Sequence, residues 1–188
     1  MIEAERKAVV REPVRVRAAL EERSGGEGLS EVYRDTYYDT PGRELERDGR
    51  ELRVRMVRGG GGRRRTVLTY KGSAVDAATG SKPETETVVD DSEAMHGVLR
   101  ALGYEAVIEF EKRCLNYRFG SGVWELLATL VEVPEVAGSW LEVETMATEE
   151  RLDEALAVVR DVMLALGVGD GDFTTELYTD AVAAARRG

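Results

Sequence analysis

Residues 1–10, MIEAERKAVV, alternate as a strand does, and Glu3, Glu5 and Lys7 fall on one uniformly charged face, with Ile2, Ala4, Arg6 and Ala8 on the other. A strand facing a core keeps one face apolar throughout, so this face is out of place. The same oddity recurs along the chain. Arg53 and Arg55 alternate with Leu52, Val54 and Met56, and Lys71 follows in LTYKG. Glu84 and Glu86 occupy ETETVV, Lys112 or Arg113 occupies EKRC, and Glu142 and Glu144 occupy LEVET. A single such strand reads as a solvated face, but these are segregated by type, with paired carboxylates on some strands and bases on others. If the sheet closes on itself, the charged faces converge in one polar interior.

The pattern outside these segments is consistent with such a sheet. Segments 32–40, 51–57, 65–72, 84–89, 105–119, 123–133 and 139–145 are rich in Val, Tyr, Thr and Leu and are bounded by Gly, Pro or Asp. Each is expected to be a strand, about eight with the N-terminal one. Helices are expected over 12–23, 90–104, 148–168 and 174–188, from apolar residues at helical spacing and, at the second, acidic residues before the stripe and Gly103 after it. Residues 59–62, all glycine, read as a hairpin connection and lack the Gly-Lys-Ser/Thr of a nucleotide P-loop. Many strands with few helices do not give a βαβα rhythm. The expected class is α+β, with a largely antiparallel sheet able to close into a barrel.

Composition narrows the function. The chain has 188 residues, 43% hydrophobic and 33% charged, which suits one compact domain over 1–188. A formal net charge of −10 argues against nucleic-acid binding, so any phosphate chemistry must rest on a local basic cluster. The single cysteine, Cys114, suits a reducing cytoplasm and reads as a small buried apolar residue. The lone His96 excludes a histidine-rich zinc site and reads as a helix-surface residue. With no apolar leader or membrane-length apolar run, a cytoplasmic protein off the membrane is expected. Crowded carboxylates suit a hard cation such as Mg²⁺ or Mn²⁺, and Arg and Lys facing them suit phosphate oxygens. Together they suit a small-molecule polyphosphate with its metals.

Taken in order, Glu3-x-Glu5-x-Lys7, DTYYDT, LRVR, LTYKG, ETE, EKR and the late LEVE resemble the CYTH superfamily, the triphosphate tunnel metalloenzymes that include class IV adenylyl cyclases and thiamine triphosphatases. The resemblance runs from Glu3 to about Asp180, and DTYYDT and LTYKG are most similar to the class IV cyclase branch. It implies an eight-stranded, largely antiparallel closed barrel with helices packed outside. It also implies that Glu3, Glu5, Glu142 and Glu144 coordinate Mg²⁺ or Mn²⁺, and that Lys7, Arg53, Arg55 and Lys71 are catalytic and, with Lys112 and Arg113, hold the phosphates. Glu84 and Glu86 would either bind a second metal or orient the basic residues.

Cyclisation of ATP to cAMP and pyrophosphate is the first activity implied. Hydrolysis of, or other action on, an organic di- or triphosphate (thiamine triphosphate, tripolyphosphate, a prenyl diphosphate) is the second, and a non-catalytic nucleotide-binding module the third. Homodimerisation stays open. Two positions depart from the family pattern: Cys114 stands where a basic residue is usual, with Arg113 able to replace it only through a bulge, and Val131 stands where an Asp is usual. Tyr37, Tyr38 and Asp39 read as wall and rim residues, Trp124 and Trp140 as core or dimer-contact aromatics. Tyr178 and Asp180 match a C-terminal Tyr-x-Asp that either closes a tunnel mouth or packs structurally.

Overall fold

The computed structural model of the protein describes residues 1–76 and 78–188. Strand β1 (Ile2–Val9) is followed by α1 (Pro13–Ser24), β2 (Leu29–Asp39), a single helical turn α2 (Glu44–Arg47), β3 (Glu51–Gly59), β4 (Arg64–Lys71) and β5 (Lys82–Val89). Helix α3 (Ser92–Ala101), the long β6 (Glu105–Ser121), β7 (Trp124–Glu132), β8 (Trp140–Ala147), α4 (Leu152–Ala165), β9 (Phe173–Thr174) and α5 (Tyr178–Ala185) complete the chain.

The strands run β5-β4-β3-β2-β6-β7-β8-β1, every pairing antiparallel, and β1 also pairs with β5 through Ile2 and Glu3. That contact closes an eight-stranded barrel. Closure is short because β1 diverges from β5 after Glu3, and the two-residue β9 takes over its free edge at Lys7 and Ala8. Thr174, where the sequence pattern suggested the start of the last helix, is therefore strand together with Phe173, and that helix begins at Tyr178. The glycine run makes the β3–β4 hairpin as expected, with Gly61 and Gly62 at φ 71° and 78°, a region open to glycine without cost.

Strand alternation then sorts the side chains. The outward faces of β1, β7 and β8 present Ala4, Ala8, Leu126, Ala128, Leu141 and Val143, which α4 covers with Ala155, Leu156, Val159, Val162 and Met163. Each large apolar side chain buried this way stabilises the fold by about 1.5–3 kcal/mol, so the principal core lies between barrel and helices. Trp124 belongs to it, with the Arg151 guanidinium 4.3 Å from its ring centre. A smaller cluster fills part of the lumen, where Tyr178 and Val182 of α5 pack on Phe110, Val131, Val133 and Trp140. Trp140 and Tyr178 meet edge to face at 5.5 Å. Among the described residues no helix is long and apolar enough to cross a membrane.

Candidate functional site

The inward faces enclose a cavity of about 480 Å³ lined mainly by charged and polar side chains. On β1 and β8, Glu5 pairs with Glu144 and Lys7 with Glu142 in register, so alternation aims all four inward. Carboxylate oxygens of Glu3, Glu5 and Glu144 lie within 4.8 Å of one another. Burial and then the charge on Glu3 push Glu5 up to about 7, and burial with Glu3 and Glu5 beside it raises Glu144 well above the usual range. Three clustered carboxylates, two of them held above the ordinary carboxylate range, fit a divalent cation, whose charge would favour their ionised forms.

Glu142, expected in the same set, stands apart. Its carboxylate is 3.8 Å from Lys112 Nζ, and although burial opposes ionisation, Lys112 and Lys7 hold it below the ordinary value. Lys71 sits between strands, ion-paired with Glu3 and lying 3.1 Å from Glu84 and 3.8 Å from Glu5. These acids outweigh its burial and hold its ammonium well above the usual pKa. Glu86 is exposed at the cavity wall and accepts a hydrogen bond from Thr69 Oγ1 at 3.0 Å.

The basic side is organised by a residue the sequence reading passed over. Asp35, wholly buried on β2, accepts from Arg55 Nε and Nη2 at 2.6 and 2.7 Å and lies 3.9 Å from Arg53. Burial opposes its charge, but Arg55 and Arg53 hold its carboxyl well below the usual range. The signal was present in the alternation of Tyr33, Asp35 and Tyr37 on one face. Glu31 was missed because β2 starts three residues earlier than its Val/Tyr pattern suggests. It accepts from Asn116 Nδ2 at 3.0 Å and from the Tyr33 hydroxyl at 3.1 Å. Lys7 and Lys112 each make a cation–π contact with the Tyr178 ring, 4.5 and 4.6 Å from its centre, at the α5 end of the cavity.

Several expectations need correction. Arg113 is exposed on the outer face opposite Val32 and Glu132, because the β6 irregularity falls opposite Tyr37 and Tyr38 and does not re-aim it. Tyr37 lines the cavity, but Tyr38 points outward, its hydroxyl 2.6 Å from His96 Nδ1 on α3. Asp39 accepts from the Leu45 and Glu46 amides at 2.9 Å and so caps α2. Asp180 is exposed in the first turn of α5. Cys114 and Val131 are direct cross-strand partners, both buried, and burial pushes the Cys114 thiol up to about 12. They form one uncharged panel beside Lys112.

A sequence profile of the CYTH domain matches residues 1–178. The chain belongs to the CYTH family. A relative in Methanocaldococcus jannaschii named "Putative adenylate cyclase" is 22% identical over 147 residues, 78% of each chain. A solved protein of Pyrococcus horikoshii, 25% identical, superposes with a TM-score of 0.84 over 98% of this chain and 99% of that one. A Hippeastrum protein, 13% identical with a TM-score of 0.64 over 97% and 95% of the two chains, is described as a "putative adenylyl cyclase" with "a dominant triphosphatase activity". CYTH proteins are generally metal-using enzymes on small polyphosphates, and this member keeps the acid cluster and the inward-facing bases.

Proposed function

We propose that this CYTH protein is a divalent-metal-dependent enzyme acting on an organic polyphosphate inside the barrel, and that its first activity is conversion of ATP to cAMP and pyrophosphate. The observation that carries the reading is the meeting of Glu3, Glu5 and Glu144 with Lys71, Arg53 and Arg55 in one cavity. Glu3, Glu5 and Glu144 would hold Mg²⁺ or Mn²⁺, which when bound supplies charge neutralisation and lowers the pKa of a bound hydroxyl. Asp35 fixes the Arg53 and Arg55 forks before substrate arrives, so little ordering is needed when they donate to phosphate oxygens. Lys7 and Lys112 present point charges for the departing pyrophosphate. Glu142 works through Lys112, whose position it sets. Membership of the family, whose M. jannaschii relative bears the cyclase name, supports this reading.

The uncharged Cys114–Val131 panel favours a second reading, hydrolysis of an organic triphosphate, since it removes an anionic group that could orient a ribose hydroxyl. Incubation with ATP, thiamine triphosphate, tripolyphosphate and prenyl diphosphates under Mg²⁺ and then Mn²⁺, with chromatography of the products, separates the two. cAMP with pyrophosphate supports cyclisation. Orthophosphate without cAMP replaces it by hydrolysis, and tight ATP binding without turnover replaces both by a binding module.

A further inference from the structure

Strand β1 is paired along its whole length with β8, but on its other side it meets β5 at Ile2 and Glu3 and β9 at Lys7 and Ala8. In an antiparallel ladder the backbone polar groups of successive residues turn to opposite neighbours. The Glu84 amide donates to the Met1 carbonyl at 3.4 Å, so the odd-numbered residues of β1 face β5. Glu3 and Lys7 have strand partners on that side, and among the described residues Glu5 between them has none. A side chain fills the gap: the Glu5 amide donates to Ser81 Oγ at 3.4 Å, and Ser81 is 1% exposed.

The loop before β5 orients that hydroxyl. Thr79 Oγ1 donates to Asp76 Oδ1 at 2.8 Å, which leaves its lone pairs to accept from Ser81 Oγ at 2.8 Å and from the Ser81 amide at 3.3 Å. The Thr79 amide donates to the same Asp76 oxygen at 2.8 Å. With its proton directed at Thr79, the Ser81 oxygen presents lone pairs to Glu5. Among the described residues no side chain hydrogen-bonds the Glu5 carboxylate, whose ion pair with Lys71 spans 3.8 Å, so its aim is set by the backbone that carries it. We infer that Ser81, held by Thr79 and Asp76, is a positioning residue that fixes β1 at Glu5 and thereby keeps the Glu5 carboxylate in the cluster with Glu3 and Glu144. Carboxylates held together before a cation arrives need less ordering to bind it, and the partners that orient ligands govern affinity as the ligands do. The inference rests on the metal-dependent reading above and adds to its machinery a loop outside the barrel strands.

The test follows amide exchange of the intact metal-free chain by NMR and its Mn²⁺ binding by electron paramagnetic resonance. In Ser81→Ala the Glu5 amide should exchange faster while those of Ala4 and Arg6, which face β8, stay protected, and Mn²⁺ affinity should fall about 10-fold. Thr79→Val should shift both readouts in the same direction, and it decides the matter if Ser81→Ala does not fold. Unchanged Mn²⁺ affinity, or loss of protection throughout β1, overturns the positioning role and leaves the metal reading standing. An unprotected Glu5 amide in the unaltered protein does the same. Failure of the unaltered protein to bind Mn²⁺ removes the metal reading, and the positioning role with it.

Discussion

Asp35 is the residue on which the basic half of the lumen depends. It is fully buried and bridges two arginines that would otherwise repel each other across neighbouring positions of β3. Asp35→Ala leaves those guanidinium groups buried without their counter-charge and is expected to destabilise the protein by about 3–5 kcal/mol in denaturant unfolding. An effect under about 1 kcal/mol would show that water already satisfies Arg53 and Arg55. Glu5 and Glu144 set a pH dependence. Their carboxyls titrate above the ordinary value of 4.5, Glu5 at about 7, so the folded metal-free protein holds protons that the unfolded chain has released. Stability is therefore lost as pH rises from about 4.5 to about 7. Asp35 and Glu142, held low, act in the opposite sense, and their contribution disappears only as pH falls below the unfolded range. The melting temperature without metal should fall between pH 5 and pH 7.5, and Glu5→Gln with Glu144→Gln should flatten that slope. A rising slope in the unaltered protein would contradict the buried acid cluster.

At the scale of elements, alternation within each strand was legible because it is local: side chains two residues apart share a face whatever the partner strand. The inward aim of Glu3, Glu5, Lys7, Arg53, Arg55, Lys71, Glu142 and Glu144 followed from it. What alternation could not supply was the irregularity in β6, which falls near Ala106 and Ile108 and leaves Arg113 outside. Nor could it show that Asp39 turns from rim residue into the cap of α2, since that depends on a helical turn too short to leave a periodic signal. The entry of the chain into β2 is similarly tight. A Cβ on Gly28 would stand 2.5 Å from the ring of Tyr117, a side chain only 1% exposed. Gly28→Ala should thus cost about 1–3 kcal/mol in thermal or denaturant melts, with the ring unable to move aside. A neutral result would mean that β2 shifts bodily without loss. At α3, Asp91 caps the helix by accepting from the Ala94 amide at 2.9 Å, and Asp91→Ala should cost about 1 kcal/mol by the same melts.

For the whole molecule, closure and ligand binding are linked. Only Ile2 and Glu3 tie β1 to β5, and the ion pairs of Lys71 with Glu3 and Glu84 span β4, β1 and β5 beside that seam. A cation held by Glu3, Glu5 and Glu144, as proposed above, would join β1 to β8 next to the same seam and would bind only the folded barrel. Mn²⁺ at about 100 times its dissociation constant should raise stability by about 2.7 kcal/mol, read as an upward shift in melting temperature. The shift should vanish in Glu3→Gln, Glu5→Gln and Glu144→Gln, and its persistence in all three would place the metal elsewhere. By itself the sequence determined the strand-rich class, the charged inward faces and the chemistry they suit, because side-chain type and two-residue periodicity are properties of the chain alone. Only the tertiary structure decided which charges meet. The register around a closed barrel joins residues far apart in sequence, and it gathers three acids into one cluster, draws Glu142 to Lys112 and sets Cys114 against Val131.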